Sequence, residues 1–101
     1  MYNIGEVVEY RHFLYEDIET VRTGTIEEVD SDMDSYINII SDNDVIKYYS
    51  KKLRKYVPVK EKNIDSIYFT IPQREGYDFV LIKDIVRSIT VGKQKQNIEN
   101  D

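Results

Sequence analysis

A chain of 101 residues, 41% of them hydrophobic and 33% charged, can enclose one modest core and is too apolar to be a disordered segment. It has no cysteine, which excludes disulfides and thiolate metal sites, and no apolar run near the roughly 18 residues of a membrane span. Its net charge of −5 hides a dipole along the chain: residues 1–44 sum to −10, residues 45–62 to +6 and residues 63–101 to −1.

The first residues, Met1 to Glu6, lack the charged-then-apolar pattern of a secretion signal. Together with the missing cysteines, this sets a cytoplasmic expectation. Heavy use of Ile, Asn, Lys, Tyr and Asp, with no Ala or Trp, matches the coding bias of an AT-rich bacterial or phage genome.

Gly5 to Tyr10 reads as a first strand, opened by Gly5. Arg11 to Glu19 has no period and is expected to be a packed loop or a ragged strand end. Strand chemistry resumes over Thr20 to Val29. Within it, Gly24 marks a close approach of a neighbouring backbone. Ile26 and Val29 break strict alternation by one residue, which predicts a β-bulge. Asp30 to Ser35 is a turn by composition, and Tyr36 to Ile40 a third strand rich in β-branched residues. Ser41 to Asp44 is a second turn or a helix cap.

Residues 45–57 carry two competing patterns. Val45, Ile46, Tyr49, Leu53 and Tyr56 recur at spacings near three and four, which predicts a short helix or irregular excursion. A strand through Tyr56 to Val59 follows, placed at a sheet edge because Pro58 cannot donate to a ladder. Residues 56–64 then resemble residues 77–85, 21 positions on, with Tyr, Val, Lys and Ile in register. Each copy reads as a strand, a tight turn at Lys62-Asn63-Ile64 or Lys83-Asp84-Ile85, and a second strand. Pro72 to Gly76 is the turn between the copies. The polar stretch from Gly92 to Asp101 is expected to fray, leaving a single β domain over residues 1–91 with a C-terminal hairpin over 72–91. The Pro58 edge and this hairpin are the two places where a second copy could pair.

The glycine strand Thr23 to Val29, preceded by Gly5-Glu6-Val7-Val8 and followed by Tyr36 to Ile40, resembles an SH3-like small barrel of the KOW or Tudor kind. The segment Lys62 to Ile67 is similar to the one-turn 3-10 helix before the closing strand of such barrels. The resemblance covers residues 1–71. It implies an all-β fold that binds RNA, DNA or protein segments. Residues 41–57 are longer than such a domain needs, and residues 72–91 have no counterpart in it.

Two surfaces are candidates for binding. Lys47, Lys51, Lys52, Arg54 and Lys55 are interleaved with Tyr48, Tyr49 and Tyr56, and Lys60 and Lys62 follow. Cations neutralise phosphates and tyrosine rings stack on unpaired bases, so this block is a candidate face for nucleic acid or a nucleoprotein. The plainer alternative is a solvated basic face with its tyrosines turned inward, and the acidic isoelectric point near 4.9 weighs on that side. Glu27, Glu28, Asp30, Asp32 and Asp34 form the second candidate, a negative surface for a basic protein partner, of the kind a nucleic-acid-mimicking inhibitor presents. The plainer alternative there is solubility. Asp30-x-Asp32-x-Asp34 opens like a calcium loop, but Ser35 and Ser41 occupy the positions where such a loop needs Gly and Glu. No metal or cofactor is expected. The one histidine, His12, has no nucleophile motif beside it and the glycines are scattered singly, so no catalytic residue is assigned and the expectation is a binding module rather than an enzyme.

Overall fold

The structure is a computed structural model, and it describes residues 2–15 and 17–89. The chain is all-β. Among the described residues, nine strands alternate with turns and two short 3-10 helices: β1 (Val7–Tyr15), β2 (Ile18–Thr25), β3 (Glu28–Ser31), β4 (Ile40–Asp42), β5 (Val45–Ser50), β6 (Lys55–Pro58), a 3-10 helix (Glu61–Ser66), β7 (Ile67–Gln73), β8 (Gly76–Leu81), a second 3-10 helix (Ile82–Asp84) and β9 (Ile85–Ser88). They form three antiparallel sheets in the orders β2-β1-β9, β3-β7-β8 and β4-β5-β6. No helix among the described residues is long and apolar enough to cross a membrane.

All three sheets contribute to one core. Val8 and Tyr10 enter from β1, Val29 from β3, Ile46 from β5, Ile67, Phe69 and Ile71 from β7, Val80 from β8 and Ile85 from β9. Tyr2 closes one side with its ring edge-on to Phe69 at 6.4 Å. Strict alternation on β7 puts Ile67, Phe69 and Ile71 on one face, the face that residue pattern predicts.

The expected bulge between Ile26 and Val29 is instead a corner. The Ile26 N–H donates to Glu6 O at 2.9 Å, continuing the β1–β2 ladder. The next N–H, Glu27, donates to Thr70 O at 2.9 Å and begins the β3–β7 ladder. The chain therefore changes sheets at one peptide. The extra residue lets both Ile26, in the corner after β2, and Val29, on β3, point into the core.

Gly24 sits where β7 passes β2. A Cβ there would be driven into Ile71 Cγ2 and reach Gln73 Nε2 at 3.0 Å. The close approach expected at this glycine is real, but a side chain makes it, with backbone no nearer than Pro72 O at 3.8 Å.

Of the two readings of Arg11 to Glu19, the ragged strand end holds for its first part: β1 runs to Tyr15, and its pairing with β2 slips between Phe13 and Tyr15. Other elements depart from expectation. Tyr36 to Ile39 is not a strand: Tyr36 folds under the β5 hairpin, and pairing begins only at Ile40. Residues 45–57 form no helix but the hairpin β5–β6. The three-to-four spacing there arises because two short alternating strands and a turn follow in succession; β-branched and aromatic residues then settle the matter. Pro58 does lie on an edge strand.

The repeat has a structural counterpart. β6 and β8 each run into a 3-10 helix, closed by the N–H of Ile67 on Ile64 O and of Ile85 on Ile82 O, and then into β7 and β9. The hairpin expected over 72–91 is divided. β8 turns back on β7 through Arg74-Glu75, while β9 crosses to pair with β1. The stretch from Thr90 onward, including the tail beginning at Gly92, lies outside the described residues.

Candidate binding surfaces

The basic block is the β5–β6 hairpin and its tip. Lys47, Tyr48 and Tyr49 lie on β5, Lys51 and Lys52 open the turn, Arg54 closes it, and Lys55 and Tyr56 begin β6. The turn is held by Arg54 N–H on Ser50 O at 2.7 Å and Leu53 N–H on Ser50 Oγ at 3.1 Å. Arg54 takes a left-handed backbone, φ 56°, a conformation that a bulky residue adopts only when a turn requires it. Lys51, Lys52, Arg54 and Lys55 are all exposed at this tip.

Ion pairs hold three arginines elsewhere in the chain, while Lys60, Lys62, Arg74 and Lys83 are, among the described residues, in no ion pair. Arg11 is bound to Asp84, Arg22 to Glu75 and Asp78, and Arg87 to Glu9, each at 2.8–3.1 Å. Lys47 reaches Asp42 at 3.8 Å. Among the described residues, Lys51, Lys52, Arg54 and Lys55 make no ion pair.

The tyrosines divide. Tyr48 turns to the inner face, 4.4 Å from Tyr36, whose hydroxyl accepts from Asn63 Nδ2 at 2.7 Å. It is therefore a packing residue, contrary to the expectation that it is exposed. Tyr49 and Tyr56 face each other across the hairpin on its other side, ring edge to face at 5.4 Å. Tyr56 is exposed and Tyr49 half-buried. A shallow depression of about 340 Å³ beside them is lined by Tyr48, Tyr49, Lys51, Lys52 and Asp34.

The acidic run does not stay together. Glu28 and Asp30 project from the outer face of β3, Asp32 follows the strand, and Asp34 lies beside the basic hairpin. Because Asp30 is in a strand, Asp30, Asp32 and Asp34 cannot wrap around one ion. Among the described residues, no group of three or more metal-ligating side chains occurs.

A third constellation had no contiguous signal in the sequence. Asp78 on β8 accepts from the Tyr10 hydroxyl at 2.6 Å and from Arg22 Nη1 at 3.1 Å, and His12 Nε2 stands 3.5 Å from its other oxygen. Gln73 Nε2 donates to the Tyr10 hydroxyl at 2.9 Å and to Thr23 O at 3.0 Å. These residues meet because Tyr10, His12 and Arg22 share the inner face of the β1–β2 ladder, over which β8 passes. The other His12 nitrogen, Nδ1, is buried with no hydrogen-bond partner among the described residues. Glu75, the exposed partner of Arg22 at the edge of the network, is held below the usual carboxylate range by its own backbone N–H and by Arg22.

Burial, with the Asp78 hydrogen bond and charge, pushes the Tyr10 phenol up to about 12. Its protonated form is thus favoured by folding. That contribution is complete below pH 10 and is lost as pH rises from about 10 to about 12, a loss on the order of 2 kcal/mol. Urea unfolding at pH 9 and at pH 11.5 is expected to show it, and Tyr10→Phe is expected to flatten the difference. An equal alkaline loss in Tyr10→Phe would assign it to other tyrosines.

No family model, no curated protein and no solved structure matches this chain. The geometry of these surfaces is therefore the ground on which function can be argued.

Proposed function

We propose that this protein is a small non-catalytic binding module that engages nucleic acid through the tip of the β5–β6 hairpin. The observation that carries the reading is the cluster of Lys51, Lys52, Arg54 and Lys55, exposed on one turn and without carboxylate partners among the described residues. Releasing condensed counterions from phosphates is the main source of such binding, and it needs cations that are not already neutralised. Tyr56, beside the tip and braced by Tyr49, offers a ring on which an unpaired base can stack. The small-barrel resemblance of residues 1–71 belongs to the same proposal and adds to it only by analogy.

Fluorescence anisotropy with labelled single- and double-stranded oligonucleotides, at low and at physiological salt, tests the reading. The expected result is a Kd on the order of 10 μM at low salt that weakens steeply as salt rises. Each cation changed to alanine is expected to flatten the salt slope by about one. Arg54→Gly is the most informative single change, because glycine takes the left-handed backbone without strain and so removes the charge while keeping the turn. Binding that is absent at low salt, or unaltered in the quadruple alanine variant, would overturn the proposal.

A further inference from the structure

The outer face of the β3-β7-β8 sheet brings together residues that lie far apart in the chain. The register sets Asp30 beside Tyr68 and Tyr68 beside Leu81, with Glu28, Thr70 and Phe79 in the next row. The Tyr68 and Phe79 rings meet at right angles, 88°, with centroids 5.9 Å apart. With Leu81 and Asp32 they line a shallow, open pocket of about 320 Å³. Phe79 is 68% exposed, a large ring held in water on a sheet face.

We infer that this pocket receives the cationic side chain, guanidinium or alkylammonium, of a basic segment on a partner protein. Two perpendicular aromatic rings present electron-rich faces, and a cation placed against them is attracted by the ring quadrupoles. The Asp32 carboxylate supplies the opposing charge, and Glu28 and Asp30 extend the negative field along the same face. Among the described residues, no protein cation pairs with any of these three acids. Burial and the charges of Asp30 and Asp32 together raise the Tyr68 phenol, so both carboxylates act on that ring. Leu81 and Phe79 offer apolar surface to the methylene stem of Arg or Lys. An anion would be repelled, and a neutral apolar group would leave the Asp32 carboxylate desolvated without a partner. The acids read in the sequence as a partner surface thus acquire a definite shape at Glu28, Asp30 and Asp32 only. The inference is independent of the hairpin reading.

The test uses the whole chain and capped pentapeptides, Gly-Gly-X-Gly-Gly, in which X is arginine, trimethyllysine, acetyllysine or citrulline. Ring signals of Tyr68 and Phe79 are followed by NMR. The arginine or trimethyllysine peptide is expected to shift both rings in a saturable way, and which of the two binds more tightly identifies the head group. Citrulline and acetyllysine keep the shape without the charge and are expected to bind at least tenfold more weakly. Phe79→Ala and Asp32→Asn are each expected to weaken binding at least fivefold; Asp32→Asn, at an exposed position outside the strands, is expected to do so with the melting temperature unchanged, while Phe79→Ala also loses its ring contact with Tyr68 and melts somewhat lower with the fold retained. Equal shifts with citrulline, binding indifferent to both substitutions, or no saturable shift with any cationic peptide would overturn the inference. So would ring shifts that depend only on protein concentration, since the occupant would then be a second copy of this chain.

Discussion

Gly24→Ala is expected to lower stability by about 2–3 kcal/mol, and Gly24→Val to prevent folding. Glycine in a strand is ordinarily replaced with profit, because a side chain restricts the unfolded chain and favours extended backbone. The sign is reversed here by packing alone. The Gly24 backbone is not left-handed, and the new Cβ would occupy the space of Ile71 Cγ2, on a side chain that is fully buried. For a domain of this size the alanine variant should melt on the order of 10 °C lower. The rescue is specific. Ile71→Leu removes the β-branch methyl while keeping the volume, so it should recover part of the loss in the Gly24→Ala background. Ile71→Val keeps that methyl and should recover none. Denaturant unfolding of Gly24→Ala, of each Ile71 change alone and of the two double variants, against the unsubstituted chain, closes two cycles, and equal behaviour of Leu and Val at position 71 would locate the clash elsewhere.

Asp78→Ala carries the second large effect, a loss of about 3 kcal/mol. The Asp78 side chain is 13% exposed and accepts from both Tyr10 and Arg22. Its removal leaves a buried phenol with only the Gln73 contact and a largely covered guanidinium with only Glu75. Breaking a buried pair by deleting one partner is costly because the survivor stays out of water. Glu75→Ala removes the other Arg22 partner, whose side chain is 63% exposed and screened by water, and is expected to cost far less than Asp78→Ala. Asp78→Asn, which can still accept from Tyr10, should fall between the two. Chemical denaturation at neutral pH orders the three variants, and a Glu75→Ala loss as large as that of Asp78→Ala would show that the surface pair, not the buried hub, anchors Arg22.

Both predictions depend on contacts between residues some fifty or more positions apart in sequence, and the limits of the sequence reading follow the same line. The β-branched alternation of Ile67, Phe69 and Ile71 was legible because a strand's two faces are written in adjacent residues. The sharp stops at Lys62-Asn63-Ile64 and Lys83-Asp84-Ile85 were legible for a similar reason, since each short helix closes on a hydrogen bond within its own few residues. The hairpin over 45–58 was not. Its residues satisfy a helical spacing as well as a β one, and the choice is made by Ile46 and Tyr48 finding the core and Tyr36 on one side. The basic tip was visible as composition. Which of its tyrosines points outward was not, because that depends on the register between Tyr49 and Tyr56.

The sequence by itself determined an all-β chain, one core, and the basic and acidic blocks. These follow from side-chain volume, charge and the two-residue period of a strand, which act locally. The tertiary structure alone decided that the strand from Thr20 to Val29 divides between two sheets, that β9 joins β1 rather than β8, and that Asp78 stands over Tyr10, His12 and Arg22. It also decided that Tyr68 and Phe79 form a pocket with Asp32. Each of these is a matter of which backbone donors and acceptors pair across the fold. Any extended strand offers the same row of such groups, so its partner is chosen by the fit of the whole core and not by its own residues.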